Sequence, residues 1–102
     1  MPISGDRYKF SSENVDIAPN DEGVYELYDG DELIYVGRAA GLYVTIRTRL
    51  QSHLRGDEGR CTQRATAYRR EVTNTPTARE KELLLEYRRL NGRLPRCNDR
   101  VG

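Results

Sequence analysis

Gly23-Val24-Tyr25-Glu26-Leu27-Tyr28-Asp29-Gly30-Asp31-Glu32-Leu33-Ile34-Tyr35-Val36-Gly37 is the stretch on which the fold turns. Residues 23–28 and 33–37 are rich in β-branched and aromatic side chains, which suit a pleated, half-buried surface. Asp29-Gly30-Asp31 between them carries the residues of a tight turn. The two runs are therefore expected to fold back on each other as an antiparallel hairpin.

Working outward, Ile46, Leu50 and Leu54 recur at i, i+4 and i+8, which predicts a helix over 43–55. Residues 55–60 follow as a charged, glycine-containing loop, and 66–73 (Thr-Ala-Tyr-Arg-Arg-Glu-Val-Thr) suit a third strand. A second helix has clear bounds. Thr75 can cap it, Pro76 fits its first turn and acids follow; Asn91-Gly92 ends it near Leu90, with Pro95 soon after. Residues 1–20 carry few apolar positions and are expected to form an arm or short leading element, with the domain proper over 21–102. The order ββαβα predicts a small single α+β domain, built on a mainly antiparallel three-stranded sheet flanked by helices.

A chain of 102 residues has room for one modest core. Its hydrophobic fraction, 36%, barely exceeds its charged fraction, 32%, which fits a water-soluble domain. Trp is absent and Phe occurs once, so seven Tyr supply most of the aromatic volume. No apolar run reaches membrane length and no charged-then-apolar leader opens the chain, so the expected location is cytoplasmic, with no membrane partner. Cys61 and Cys97 lack the CxxC or His clustering of a zinc site. Two reduced thiols is the simpler expectation, with one disulfide as the alternative.

The net charge of +1 hides an asymmetry. Residues 1–40 hold nine acids against three bases, whereas residues 41–102 hold seven acids against fourteen bases, thirteen of them Arg. Arg makes forked contacts with phosphate, and a basic half is what a polyanion-binding protein needs. A salt-laced surface is the bland alternative.

The ordered set Gly23-Val24-Tyr25, Tyr35-Val36-Gly37, Arg49, His53, Glu86, Asn98 resembles the GIY-YIG nuclease family. The stretch Glu82-Leu83-Leu84-Leu85-Glu86 followed by Pro95-Arg96-Cys97-Asn98 looks especially like the amino-terminal nuclease domain of the bacterial excision-repair incision subunit. The resemblance implies a DNA endonuclease that hydrolyses phosphodiesters with a single Mg²⁺ or Mn²⁺. Glu86 would be the metal ligand, flanked on its helix face by Leu83 and Leu90; an amphipathic edge position paired with Arg89 or Arg79 is the alternative. Glu82 lacks the matching distance to Asn98. Arg49 and His53, four apart on one helix face, match the family's catalytic Arg and the His or Tyr one turn on. Tyr25 or His53 would take the proton of the attacking water, and Tyr35 would share the site. Asn98 would bridge the final loop to the sheet. Arg38, Arg60 and Arg64 are the expected phosphate contacts.

If Tyr25 and Tyr35 serve one site, the hairpin needs a particular register. A two-residue loop at Gly30-Asp31 would pair Tyr25 with Val36 and set the two tyrosines on opposite faces. An odd-length loop or a bulge is therefore expected. Sequence specificity is expected to be low, or to come from a homodimer, a protein partner or DNA structure. The rival readings are a degenerate module of the same fold that binds DNA or protein without cutting, and a purely structural protein.

Overall fold

The structure, a computed structural model, describes residues 2–101. Eight elements follow in order: β1 (Tyr8–Lys9), α1 (Ser12–Asp16), β2 (Gly23–Asp29), β3 (Glu32–Ala39), α2 (Ile46–Arg55), α3 (Arg60–Gln63), β4 (Ala67–Val72) and α4 (Pro76–Asn91). The expected α+β class holds. The sheet has four strands rather than three, all antiparallel, in the order β1-β4-β2-β3.

The extra strand comes from the leading segment. Tyr8 and Lys9 pair with Tyr68 and Ala67, Phe10 N–H donates to the Thr66 carbonyl at 2.9 Å, and the Tyr8 ring stacks on Tyr68 at 5.4 Å. Two residues are too few to show a strand period, so nothing local announced this pairing. Ser11 then caps α1 by accepting from Asn14 N–H, and Val15 on that helix is fully buried.

The hairpin carries the expected bulge. Its loop is two residues, Gly30-Asp31, and Asp29 pairs with Glu32 and Tyr28 with Leu33. The register then shifts between Leu27 and Tyr28, so Leu27 faces Tyr35 and Tyr25 faces Gly37. The extra residue, Ile34, moves every later side chain of β3 to the opposite face. Tyr25 and Tyr35 thereby come to one side of the sheet, ring centroids 6.2 Å apart.

Each face of the sheet has its own apolar layer. On one, Tyr25, Leu27, Ile34 and Tyr68 pack with Val15 of α1 and with Ile46 and Leu50 of α2. On the other, Val24 and Val36 pack with Ile3 and with Leu83 and Leu84 of α4. Burying each such Leu is worth roughly 1.5–3 kcal/mol.

α2 starts at Ile46, three residues later than its apolar period suggested. Thr45 and Thr48 form a reciprocal cap: Thr48 N–H donates to Thr45 Oγ1 at 3.2 Å, and Thr45 N–H donates to Thr48 Oγ1 at 3.0 Å. α4 runs from Pro76 to Asn91 with Gly92 left-handed behind it, close to expectation. Thr75 does occupy the N-cap, but its hydroxyl bonds to Thr73 Oγ1 at 3.2 Å instead of capping the helix. Cys61 and Cys97 are joined in a disulfide, so the expectation of two free thiols is corrected. The fold makes the bond by bringing α3 against the final loop, although the two cysteines are 36 residues apart.

Candidate active site

β3 is an edge strand, with β2 on one side and, among the described residues, no strand on the other. Edge strands expose backbone donors and acceptors that need cover. The final loop supplies it over part of the strand. Cys97 N–H donates to the Ile34 carbonyl at 2.7 Å. The Asn98 amide then takes both outward groups of Val36, accepting from Val36 N–H at 2.9 Å and donating to the Val36 carbonyl at 3.0 Å. Asn98 thus bridges the final loop to the sheet through its amide, the role expected of it.

Beyond Val36 the edge opens onto a cleft of about 470 Å³, to which Tyr35, Arg38, Arg49, Glu80, Asn98 and Arg100 contribute. Side chains of both sheet faces meet there. Tyr35 and Arg49 arrive from the face covered by α2, whereas Arg38 and Glu80 arrive from the face covered by α4.

The motif glycines make this geometry possible. A Cβ on Gly37 would collide with Tyr25 Cζ, and would lie 2.5 Å from Tyr25 Oη and 2.7 Å from Tyr35 Cε2. Two phenol rings pass over that backbone, which only hydrogen leaves room for. Gly23 is equally hemmed in, by the Glu71 carbonyl of β4 and by Ile46 Cδ1 at 2.7 Å.

Behind the cleft lies a buried polar chain. Tyr25 Oη and His53 Nε2 are hydrogen-bonded at 2.9 Å, and His53 Nδ1 and Thr62 Oγ1 at 2.8 Å. Tyr25, His53 and Thr62 are all buried. Each hydroxyl can donate or accept, so the ring's single proton finds a match on either nitrogen. Burial, helped by the nearby Arg49 charge, pushes His53 down to about 4, which keeps the imidazole neutral at physiological pH. Burial also raises both phenols, Tyr25 well above its ordinary value, while Arg49 pulls each of them back down. The Arg49 charge acts on both phenols, and its Nη2 donates to Glu58 Oε1 at 2.8 Å.

Two carboxylates line the cleft, Asp99 on the final loop and Glu80 on α4. Glu80 is buried, accepts from Arg38 Nη1 at 2.8 Å, and is pushed up by desolvation against the opposing pull of Arg38 and Arg49. Glu86 lies elsewhere. At about 100° per residue it sits some 120° around α4 from Glu80, partly exposed and outside the cleft lining. Leu90, expected to flank Glu86 from the core side, is 66% exposed. The stripe that meets the sheet is Pro76, Glu80, Leu83 and Leu84, which sets Glu80 among the inward residues of α4.

The structure thus brings Tyr35, Arg38, Arg49 and Asn98 into the lining of one cleft, while Tyr25 and His53 lie buried behind it, outside the lining and against the Tyr35 ring. Arg60 opens α3 and Arg64 follows it, both exposed and outside the lining. Thr62 and Glu58 had no local signature.

No protein-family model matches the chain, and no curated protein matches it significantly. Function therefore has to be argued from the site.

The donor set fits a hard divalent cation. No group of three or more His, Cys, Asp or Glu side chains suited to holding a metal gathers among the described residues, which leaves no all-protein cage. Mg²⁺ does not need one: it keeps several waters and binds through one or two carboxylates plus phosphate oxygens. Glu80, at the wall of a polar cleft with three arginines and a second carboxylate, Asp99, offers that arrangement. No helix among the described residues is long and apolar enough to cross a membrane.

Proposed function

We propose that the protein is a metal-dependent DNA endonuclease of the GIY-YIG type, cutting phosphodiester bonds with low intrinsic sequence specificity. The observation that carries this reading is the meeting of Tyr35, Arg38, Arg49 and Glu80 in one cleft at the open edge of β3. Two cations, one carboxylate and a phenol are what a phosphodiester needs around it: anchors for its charge, a hard ligand for a metal, and a group that handles a proton.

Glu80 would hold a single Mg²⁺ or Mn²⁺, which supplies Lewis-acid stabilisation of phosphoryl oxygens when bound. Arg49 is held in place by its ion pair with Glu58, so its guanidinium meets charge building on the phosphate without reorganising. Tyr35 is the phenol that lines the cleft; once its own proton has passed to solvent, its phenolate Oη would take the proton of the attacking water, and the Arg49 charge favours that form against burial. Tyr25 and His53 are buried beneath it and act by position: they fix the Arg49–Tyr35 arrangement from below. Asn98 holds the strand edge that carries Tyr35.

A module of the same fold that binds DNA without cutting it is the second reading. The Arg38–Glu80 pair favours it, because Arg38 already satisfies the carboxylate a metal would use. A cytoplasmic location goes with either reading. A compartment that keeps most thiols reduced would act on the Cys61–Cys97 bond.

The deciding experiment is cleavage of supercoiled plasmid and of labelled oligonucleotides with Mg²⁺, Mn²⁺ or a chelator, using the wild-type chain and Arg49→Ala. Nicking that needs the cation and is lost in Arg49→Ala is expected. Salt-sensitive binding without nicking would support the second reading. Neither binding nor nicking would end both.

A further inference from the structure

The segment joining β3 to α2 carries an exposed apolar pair that the cleft chemistry does not use. Val44 N–H donates to the Gly41 carbonyl at 3.2 Å, closing a turn whose two central residues are Leu42 and Tyr43. Leu42 is 82% exposed and Tyr43 88%, the two most exposed of the chain's large hydrophobic side chains among the described residues. Val44, next after Tyr43, and Ala40, two residues before Leu42, line the cleft. The pair therefore stands at the rim of the site.

Two properties of the turn need explaining. First, Tyr43 sits at φ +64°, the one non-glycine residue among those described with a positive φ. This position of a turn usually falls to Gly or Asn, and a bulky side chain there is uncommon and strained. Such strain clusters at ligand clamps and active sites. Second, a solvated aromatic ring beside an aliphatic side chain gains nothing for the fold, because neither joins either apolar layer. Both properties make sense if a flat apolar partner covers the turn.

The neighbourhood identifies that partner by charge. Arg38, Arg49 and Arg100 line the adjoining cleft, which suits a phosphate, and a nucleotide phosphate brings a base within reach. Every base has a π-face that stacks on Tyr, provided that it is not already stacked in a duplex.

We propose that the Gly41–Val44 turn is a nucleobase clamp: Tyr43, backed by Leu42, stacks on an unpaired base next to the phosphate held in the cleft. This rests on the reading of the cleft as a phosphodiester site and adds its substrate class, DNA with an unpaired or extruded nucleotide at the cut. Duplex DNA lacks a free base face and is the poorer substrate.

The test compares kcat/KM with Mg²⁺ on a fully paired duplex and on the same duplex carrying a flap or bulged nucleotide. The full-length wild type, Tyr43→Gly, Tyr43→Phe and Arg49→Ala are assayed together. Wild type should prefer the unpaired substrate. Tyr43→Gly should reduce that preference roughly 5- to 150-fold, the span of one lost base–aromatic stack, with cleavage of paired DNA little changed. Tyr43→Phe should retain it. Because Gly accepts a positive φ and Tyr43 is exposed, Tyr43→Gly should fold with an unchanged or higher Tm. Retained preference in Tyr43→Gly, with all cleavage lost in Arg49→Ala, overturns the clamp and leaves the cleft reading standing. Equal cleavage of both substrates by wild type also overturns the clamp alone. A chain that neither binds nor cuts DNA overturns both. A wild-type dimer that Tyr43→Gly converts to monomer makes the turn a self-association surface and overturns the clamp.

Discussion

Arg38 Nη1 lies 2.8 Å from Glu80 Oε1, joining an edge strand to the helix on the opposite layer at the mouth of the cleft. Glu80 is nearly inaccessible, its side chain 8% exposed, while Arg38 is 37% exposed. The buried partner therefore carries the desolvation penalty, and Arg38 is the main group offsetting it. A divalent cation at Glu80 would take over that task and release Arg38 toward a phosphate. The same pair keeps a buried carboxylate tolerable in the free protein and identifies the carboxylate on which activity should depend.

Glu80→Gln should cut metal-dependent cleavage at least ~100-fold, the scale on which removing one electrostatic group from a catalytic site acts. Its circular dichroism should match wild type. Glu86→Ala and Glu82→Ala should keep most activity, since both positions lie outside the cleft lining. Initial nicking rates for the three variants, measured together, decide the assignment. Loss in Glu86→Ala with survival of Glu80→Gln would return the metal to Glu86.

Stability should fall on mild acidification through His53. Its folded pKa, about 4, lies below the unfolded value of 6.5. Its contribution is fully present above 6.5 and is lost as pH falls from 6.5 toward 4, by roughly 3 kcal/mol over that range. Glu26 and Glu80, both raised by burial, contribute in the opposite sense: their terms are lost as pH rises through their folded values. The difference between wild type and His53→Gln isolates the histidine. Urea midpoints for both chains across pH 4 to 7.5 should show a wild-type slope that the variant lacks; parallel curves would mean that His53 does not titrate with unfolding.

Gly37→Ala should destabilise the fold by roughly 1–3 kcal/mol, the usual cost of forcing an extra carbon into a packed site. The new methyl would press on the Tyr25 and Tyr35 rings together. Cleavage should suffer beyond what stability explains, because Tyr35 lines the cleft together with Arg49. Thermal melts and nicking rates taken well below the midpoint separate the two effects. An unchanged Tm would show that the rings can move aside.

Reducing the Cys61–Cys97 bond should lower stability by about 3–4 kcal/mol, the loop-closure value for cysteines this far apart. For a domain of this size that is a fall in Tm on the order of 15 °C. Melts with and without a dithiol, beside a Cys61→Ser/Cys97→Ser double variant, check it. The double variant should ignore the reductant. A wild-type melt equally indifferent to it would mean that the bond is not formed in solution.

Local chemistry determined much of this protein. The alternation and turn residues of 23–37 determined a hairpin, and the shared role assigned to Tyr25 and Tyr35 required the bulge that Ile34 provides. Pro76 and Gly92 bounded α4 because their backbone demands hold in any surroundings. Asn98 was legible as a bridge, since a side-chain amide near the chain's end can pair with a strand edge. Three things depended on tertiary structure. β1 forms only because β4 offers it an edge and Tyr68 a ring to stack on. The disulfide forms only because α3 and the final loop end up adjacent. The choice of carboxylate was undecidable locally: Leu83, Leu84 and Leu85 are consecutive, so they spread around the helix and are compatible with more than one inward face. Glu86 shares one such face and Glu80 another. The packing of Leu83 and Leu84 against Val24 and Val36 selects the second, leaves Leu90 in solvent, and turns Glu80 toward Arg38.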